Sequence, residues 1–228
     1  MAEVRGPGFD YELIRRTGQK RINIRISQTG RVTVSAPRET PDSQIVSTVA
    51  AKRSWVLKHL GSLELSRERN NPLKNLLLRG ESMPVTLRPG ERRRGKVLEE
   101  GGVIVVESFS GSDEESLKTL ESWLTALARK ELTERSRAIS AQLEIPFKRF
   151  FLRNQRTRWG SSSGRGNISL NWRIIMTPPP VMDYLIVHEL CHQRQLNHSP
   201  AYWTLVRRYY PGFKKAEEWL KANRGLMG

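Results

Sequence analysis

The stretch that decides the reading is His188-Glu189-Leu190-Cys191-His192-Gln193-Arg194-Gln195-Leu196-Asn197-His198. It holds three of the chain's four histidines and opens with the pattern H-E-x-x-H. On an α-helix, residues four apart stand one turn apart on the same face, so His188 and His192 can reach one ion together. Imidazole nitrogen binds zinc at about 2.0–2.1 Å, a geometry that two such histidines supply. Glu189 lies about 100° further round the helix. From there it is poorly placed as a ligand of the same ion, but well placed to hold a metal-bound water as its general base.

A catalytic zinc takes three protein ligands and leaves one position open. His198 is the candidate for the third. Asn197 suits the left-handed residue that ends a helix, and Ser199-Pro200 suits the cap and first turn of the next one. The histidine spacing is that of the metzincins, but Gln195 stands where their turn has glycine. The metal helix is therefore expected to run a few residues past His192 before the chain turns. An isolated H-E-x-x-H arises by chance in roughly one chain in a few hundred. Here Val181, Leu185, Ile186, Val187 and Leu190 make the segment a mostly buried helix. Two histidines and a glutamate in such a helix must be paired or metal-bound.

A chain of 228 residues has room for one large domain or two small ones, either with a proper core. It has no run of eighteen apolar residues, so no membrane span is expected. The opening Met1-Ala2-Glu3-Val4-Arg5 lacks the apolar segment of a secretory signal. The single cysteine, Cys191, rules out an internal disulfide framework and fits a reducing, cytoplasmic location. Lying between the two helix histidines, it faces another side and reads as a small core residue. The formal net charge of +16 suits either a solvated basic surface or non-specific attraction to nucleic acid.

Taken in order, residues 11–16, 22–26 and 32–34 read as short strands. Pro41 and Asp42 open a helix whose apolar positions Ile45, Val49, Trp55, Val56 and Leu60 carry it to about residue 62. From Glu64 to Asn75 the sequence reads as polar and irregular. Residues 76–78, 85–87, 96–98 and 103–106 suggest further strands, with a basic hairpin tip at Arg88 to Lys96. Ser112 with Asp113-Glu114-Glu115 begins a long helix, with Leu117, Leu120, Leu124, Leu127, Ile139 and Leu143 as its apolar stripe. Residues 147–154 and 167–175 read as a hairpin-like pair leading into the metal helix. This divides the chain into a β-rich N-terminal region with one helix, 1–110, and a helix–strand–metal-helix region, 111–228. The class is α+β. In that layout, an edge strand before the metal helix can pair with an extended substrate.

Four motifs resemble one known family. They are Arg158-Trp159-Gly160-Ser161, Asn167-Ile168-Ser169-Leu170-Asn171-Trp172-Arg173, the run from Asp183 to His192, and Asn197-His198-Ser199-Pro200-Ala201-Tyr202-Trp203. As a set they are similar to the YgjP-like metallopeptidase domain, a family of metal-dependent hydrolases related to the SprT-like proteases. The likeness extends to the N-terminal strands and the Trp55 helix. It implies a zincin-like fold of minigluzincin type, zinc at His188, His192 and His198, and Glu189 as catalytic base. One departure is visible: Ser162 stands where the family often has cysteine, a residue that a three-histidine site does not need.

The function expected is a zinc metallopeptidase with one zinc per chain, acting on a peptide or protein. Its metal-bound water gives a proton to Glu189 and attacks a polarised carbonyl. Tyr184, Tyr202, Arg156 and Arg158 are candidates to stabilise the oxyanion or hold substrate, and the sequence leaves them unranked. Tyr184 lies one turn before His188, where a tyrosine often serves only as core packing. One alternative is a metal-dependent hydrolase of a non-peptide substrate. Another is a basic, nucleic-acid-associated protein whose zinc is structural; such sites usually have four protein ligands.

Overall fold

The structure, a computed structural model, describes residues 2–27, 29–69 and 71–227. The chain forms two compact units, Met1–Asn71 and Pro72–Gly228. The strands between 75 and 108, read from the sequence with the N-terminal region, lie in the unit that carries the metal helix.

In the first unit, strands β1 (Ala2–Arg5), β2 (Asp10–Arg16), β3 (Asn23–Ile26) and β4 (Val32–Pro37) form a sheet ordered β1-β2-β4-β3. Its middle pair, β2 and β4, is parallel, and both edge pairs are antiparallel. Strand β4 alternates cleanly, burying Val32, Val34 and Ala36. Two helices follow, α1 (Asp42–Ala51) and α2 (Arg53–Arg69), separated at Lys52. Ile45, Val49 and Val56 close the core with Tyr11, while Trp55, expected on the apolar face, is 43% exposed. Helix α2 runs on to Arg69 through part of the stretch expected to be irregular. Its first residues carry no Gly or Pro until Gly61, and a lone Gly weakens a helix without ending it.

The second unit repeats the strand pattern. Strands β5 (Asn75–Leu78), β6 (Glu81–Pro89), β7 (Lys96–Glu100) and β8 (Val103–Ser108) order as β5-β6-β8-β7, again with a parallel middle pair. Helix α3 (Asp113–Leu143) then covers it. The Ser112 hydroxyl accepts from the Glu115 amide, and the Glu115 carboxylate accepts from the amides of Phe109 and Ser110, tying the helix start to the end of β8. One side of α3 is buried at every fourth residue, through Ser116, Leu120, Leu124, Ala128, Leu132 and Ser136. Leu117, expected in the stripe, falls off this line and is 40% exposed. The helix ends at Glu144 in a left-handed conformation, φ 54°.

The third sheet differs from the hairpin expected. Strands β9 (Arg149–Arg153), β10 (Gly160–Ser163) and β11 (Asn167–Asn171) order as β10-β11-β9, so β9 and β11 are parallel neighbours. The hairpin is formed instead by β10 and β11. The physical reason is the intervening loop: it returns the chain to the start of the sheet, and β10 takes the antiparallel place at the edge. Residues Trp172–Met176 form a 3-10 helix rather than more strand, capped by the Asn171 side chain, which accepts from the Arg173 amide.

Helix α4 (Pro179–Cys191) follows, and α5 (Pro200–Tyr209) and α6 (Phe213–Ala222) complete the unit. Helix α4 is apolar nearly all round, as a helix surrounded by the core must be. Two contacts fix its place. Arg135 on α3 makes a two-pronged ion pair with Asp183, each N···O at 2.9 Å. Gly80, φ +81°, lies so near the start of α4 that a Cβ there would stand 2.6 Å from Pro178. Among the described residues, no helix is long and apolar enough to cross a membrane.

Candidate metal centre

The three histidines expected to act together do converge. His188, His192 and His198 each offer a nitrogen within 4.8 Å of the others. Nε2 of His198 lies 3.2 Å from Nε2 of His188 and 3.2 Å from Nε2 of His192. The fold holds them in graded exposure: His192 is buried, His188 half-buried and His198 exposed. Tyr202 stacks on His192 with ring centroids 4.4 Å apart, and Trp203 stacks on His198 at 5.7 Å.

The turn between them is tighter than the sequence suggested. The α-helix stops at Cys191 rather than running past His192, and turn hydrogen bonds from Arg194 and Gln195 to the Cys191 carbonyl carry the chain round. Asn197 is not left-handed; the only non-glycine residues with positive φ among those described are Arg79 and Glu144. What closes the turn is the His192 ring, whose Nδ1 lies 3.0 Å from the Gln195 carbonyl oxygen. That bond does without the conformational freedom that glycine gives the metzincin turn. Ser199 caps α5 as expected, accepting from the Tyr202 amide, with Pro200 in the first turn. The side-chain amide of Gln193 donates to Ser162 on β10, so the serine standing in the cysteine's place ties the turn to the edge strand.

The centre fits a cation. With Nδ1 of His192 donating to a carbonyl, its Nε2 is a lone pair facing the other two rings. Burial, then the neighbouring His192 and His198, hold His188 down at about 3, so its ring is neutral as well. Imidazole nitrogens crowded on one point form a pocket of the kind that zinc and other divalent transition metals take.

Glu189 stands beside this cluster. It is 4% exposed, and its Oε2 has no hydrogen-bond partner among the described residues. Burial pushes its carboxyl up to about 8, against a downward pull from Arg158. On the side of β10, Gly160 packs directly on the Glu189 carboxylate.

The four oxyanion candidates separate. The Tyr202 hydroxyl is committed to the backbone: the residue is fully buried and donates to the His188 carbonyl at 3.1 Å. Tyr184 is 2% exposed and donates to Glu217 at 3.0 Å. Arg158 is exposed, and its charge is felt at Glu189. Arg156 is also exposed, but its charge is felt at Arg173, whose guanidinium lies 4.5 Å over the Trp172 ring. Buried Asn171 holds the loop that carries both arginines, its side-chain amide donating to the Gln155 carbonyl and its backbone amide to that of Trp159 at 2.8 Å. Sequence reasoning did not find Glu217 or assign a role to Gly160. A glycine inside a strand is a recognised sign of close backbone approach; Glu217 carries no local signal.

A family model described as YgjP-like, metallopeptidase domain, matches residues 20–223 of the chain. No curated protein matches it. Among solved structures, the crystal structure of the metallopeptidase zymogen of Pyrococcus abyssi abylysin aligns with 41% of this chain and 95% of its own. The identity is 19% and the TM-score 0.37.

Proposed function

The chain belongs to the YgjP-like metallopeptidase family and is by that membership a metal-dependent peptidase; from this premise we propose that it holds one zinc through His188, His192 and His198 and uses Glu189 as its base. The observation that carries the reading is the buried Glu189 oxygen, without a hydrogen-bond partner among the described residues, next to three converging imidazoles. Zinc in such a site supplies a Lewis acid and brings the pKa of bound water down towards 7.

The remaining work falls to the chain's own groups. In its ionised form, which a cation at the histidines favours, Glu189 takes a proton through Oε2 from the attacking water, whose oxygen adds to the peptide carbonyl carbon. Glu189 then hands that proton to the departing nitrogen as the C–N bond breaks. Strand β10 is an edge of its sheet and packs beside α4, so its backbone can align an extended peptide near the histidines. Arg158, exposed and within electrostatic reach of Glu189, is the candidate favoured to meet the developing oxyanion.

The test combines zinc content with cleavage of a peptide library by the wild type and Glu189→Gln. The amide fills the same space but cannot accept the proton. We expect the variant to retain zinc and lose roughly 100- to 10,000-fold in rate. A variant that cleaves like the wild type removes Glu189 from the reaction.

A further inference from the structure

Both helix histidines have their outer nitrogen engaged, but by different means. His192 uses the Gln195 carbonyl, a local contact three residues on. His188 instead faces a tyrosine on its own helix: its Nδ1 lies 3.3 Å from the Tyr184 hydroxyl, one turn back. That hydroxyl has a single proton, and it lies 3.0 Å from Oε1 of Glu217 on α6. An ionised carboxylate only accepts, so the tyrosine's proton is directed at Glu217. What the hydroxyl has left for His188 is a lone pair. The bond therefore runs from His188 Nδ1–H to Tyr184 and from Tyr184 to Glu217.

We propose that Glu217, acting through the Tyr184 hydroxyl, is a positioning residue that fixes His188 with its proton on Nδ1 and so turns its Nε2 lone pair towards the ion. This rests on the reading of His188 as a zinc ligand. It assigns a role to a residue on a separate helix that no motif marks. Tyr184 is suited to the middle place because it is nearly wholly buried, with its ring edge-on to His188 at 5.7 Å and tilted against Tyr210 at 5.9 Å. Carboxylates commonly orient metal-binding histidines directly; here a tyrosine spans the gap.

The test uses the full chain. Zinc affinity is measured by competition with a chromophoric chelator for the wild type, Tyr184→Phe, Glu217→Ala and Glu217→Gln. The histidine tautomers of the metal-free proteins are read by nitrogen-15 NMR. Phenylalanine keeps the buried ring and removes only the oxygen. We expect Tyr184→Phe and Glu217→Ala to lose about 10- to 100-fold in zinc affinity. Glu217→Gln, which keeps a carbonyl acceptor, should recover most of that loss, a recovery that a merely structural role does not give. In metal-free wild type, His188 should carry its proton on Nδ1, and Tyr184→Phe should shift it towards Nε2. Unchanged affinity in both variants, or a wild-type His188 protonated on Nε2, overturns the proposal. If the wild type binds no zinc, the ligand reading fails, and the NMR arm still decides the relay. If Tyr184→Phe does not fold, the two Glu217 variants on half-buried α6 decide it alone.

Discussion

A methyl group at Gly160 would stand 2.5 Å from Oε1 of Glu189 and 2.8 Å from its Cγ and Cδ. No ordinary contact is that short, so alanine at this position must displace the carboxylate or the edge strand. Gly160 is not among the glycines with positive φ, so space rather than backbone freedom demands it. We predict that Gly160→Ala binds zinc like the wild type and loses at least about 100-fold in turnover, the usual effect of misplacing a catalytic group by an ångström. Elemental analysis beside peptide cleavage is the check. Wild-type turnover would mean that the carboxylate tolerates displacement.

His198 is the exposed member of the trio and sits outside the metal helix, so its loss should leave the fold in place. The Ser199 cap of α5 remains in His198→Ala. The expected result is a normal far-UV circular dichroism spectrum with zinc lost on dialysis against a weak chelator and peptidase activity lost with it. Full zinc content and full activity would show that the third ligand lies elsewhere.

The parts of this arrangement that sequence revealed are those with local causes. The helix that carries His188 and ends at His192 as its cap follows from apolar residues at nearly every position, and the caps at Ser112 and Ser199 follow from a hydroxyl placed ahead of a helix start. The parallel pairing of β9 with β11 was hidden, because which strand returns beside which is decided by the loop and by Asn171, whose side chain reaches back to Gln155. The early end of the metal helix was hidden for a similar reason. A ring nitrogen bonded to the Gln195 carbonyl does what the expected glycine would have done. Glu217 lay beyond reach altogether, since its relation to Tyr184 exists only once α6 has packed against α4.

Of the two exposed arginines on the loop before β10, Arg158 should matter and Arg156 should not. Arg158 exerts its charge at Glu189, whereas the charge of Arg156 is felt at Arg173. A lost oxyanion donor typically costs about 100- to 1,000-fold in kcat. We expect Arg158→Ala to fall in that range with KM little changed, Arg158→Lys to recover part, and Arg156→Ala to stay within a few-fold of the wild type. Steady-state kinetics on one good peptide will decide. Equal effects at the two positions would assign both to general surface charge.

Tyr202 offers the contrasting case of a site residue whose hydroxyl is already used. It donates to the His188 carbonyl at 3.1 Å, and its ring stacks on His192 at 4.4 Å, 21° from parallel. That carbonyl belongs to the last turn of α4, where the helix runs out of amide donors of its own, so the tyrosine serves as a side-chain cap. Tyr202→Phe keeps the stacking and leaves a part-buried carbonyl short of a partner, at a cost of about 1 kcal/mol. Because the proton is committed to the backbone, removing it should not touch the developing oxyanion. The expected outcome is a lowered melting temperature with kcat within a few-fold of the wild type at a temperature where both are folded. A loss in kcat of the size predicted for Arg158→Ala, with melting unchanged, would move the oxyanion role from the arginine to this tyrosine.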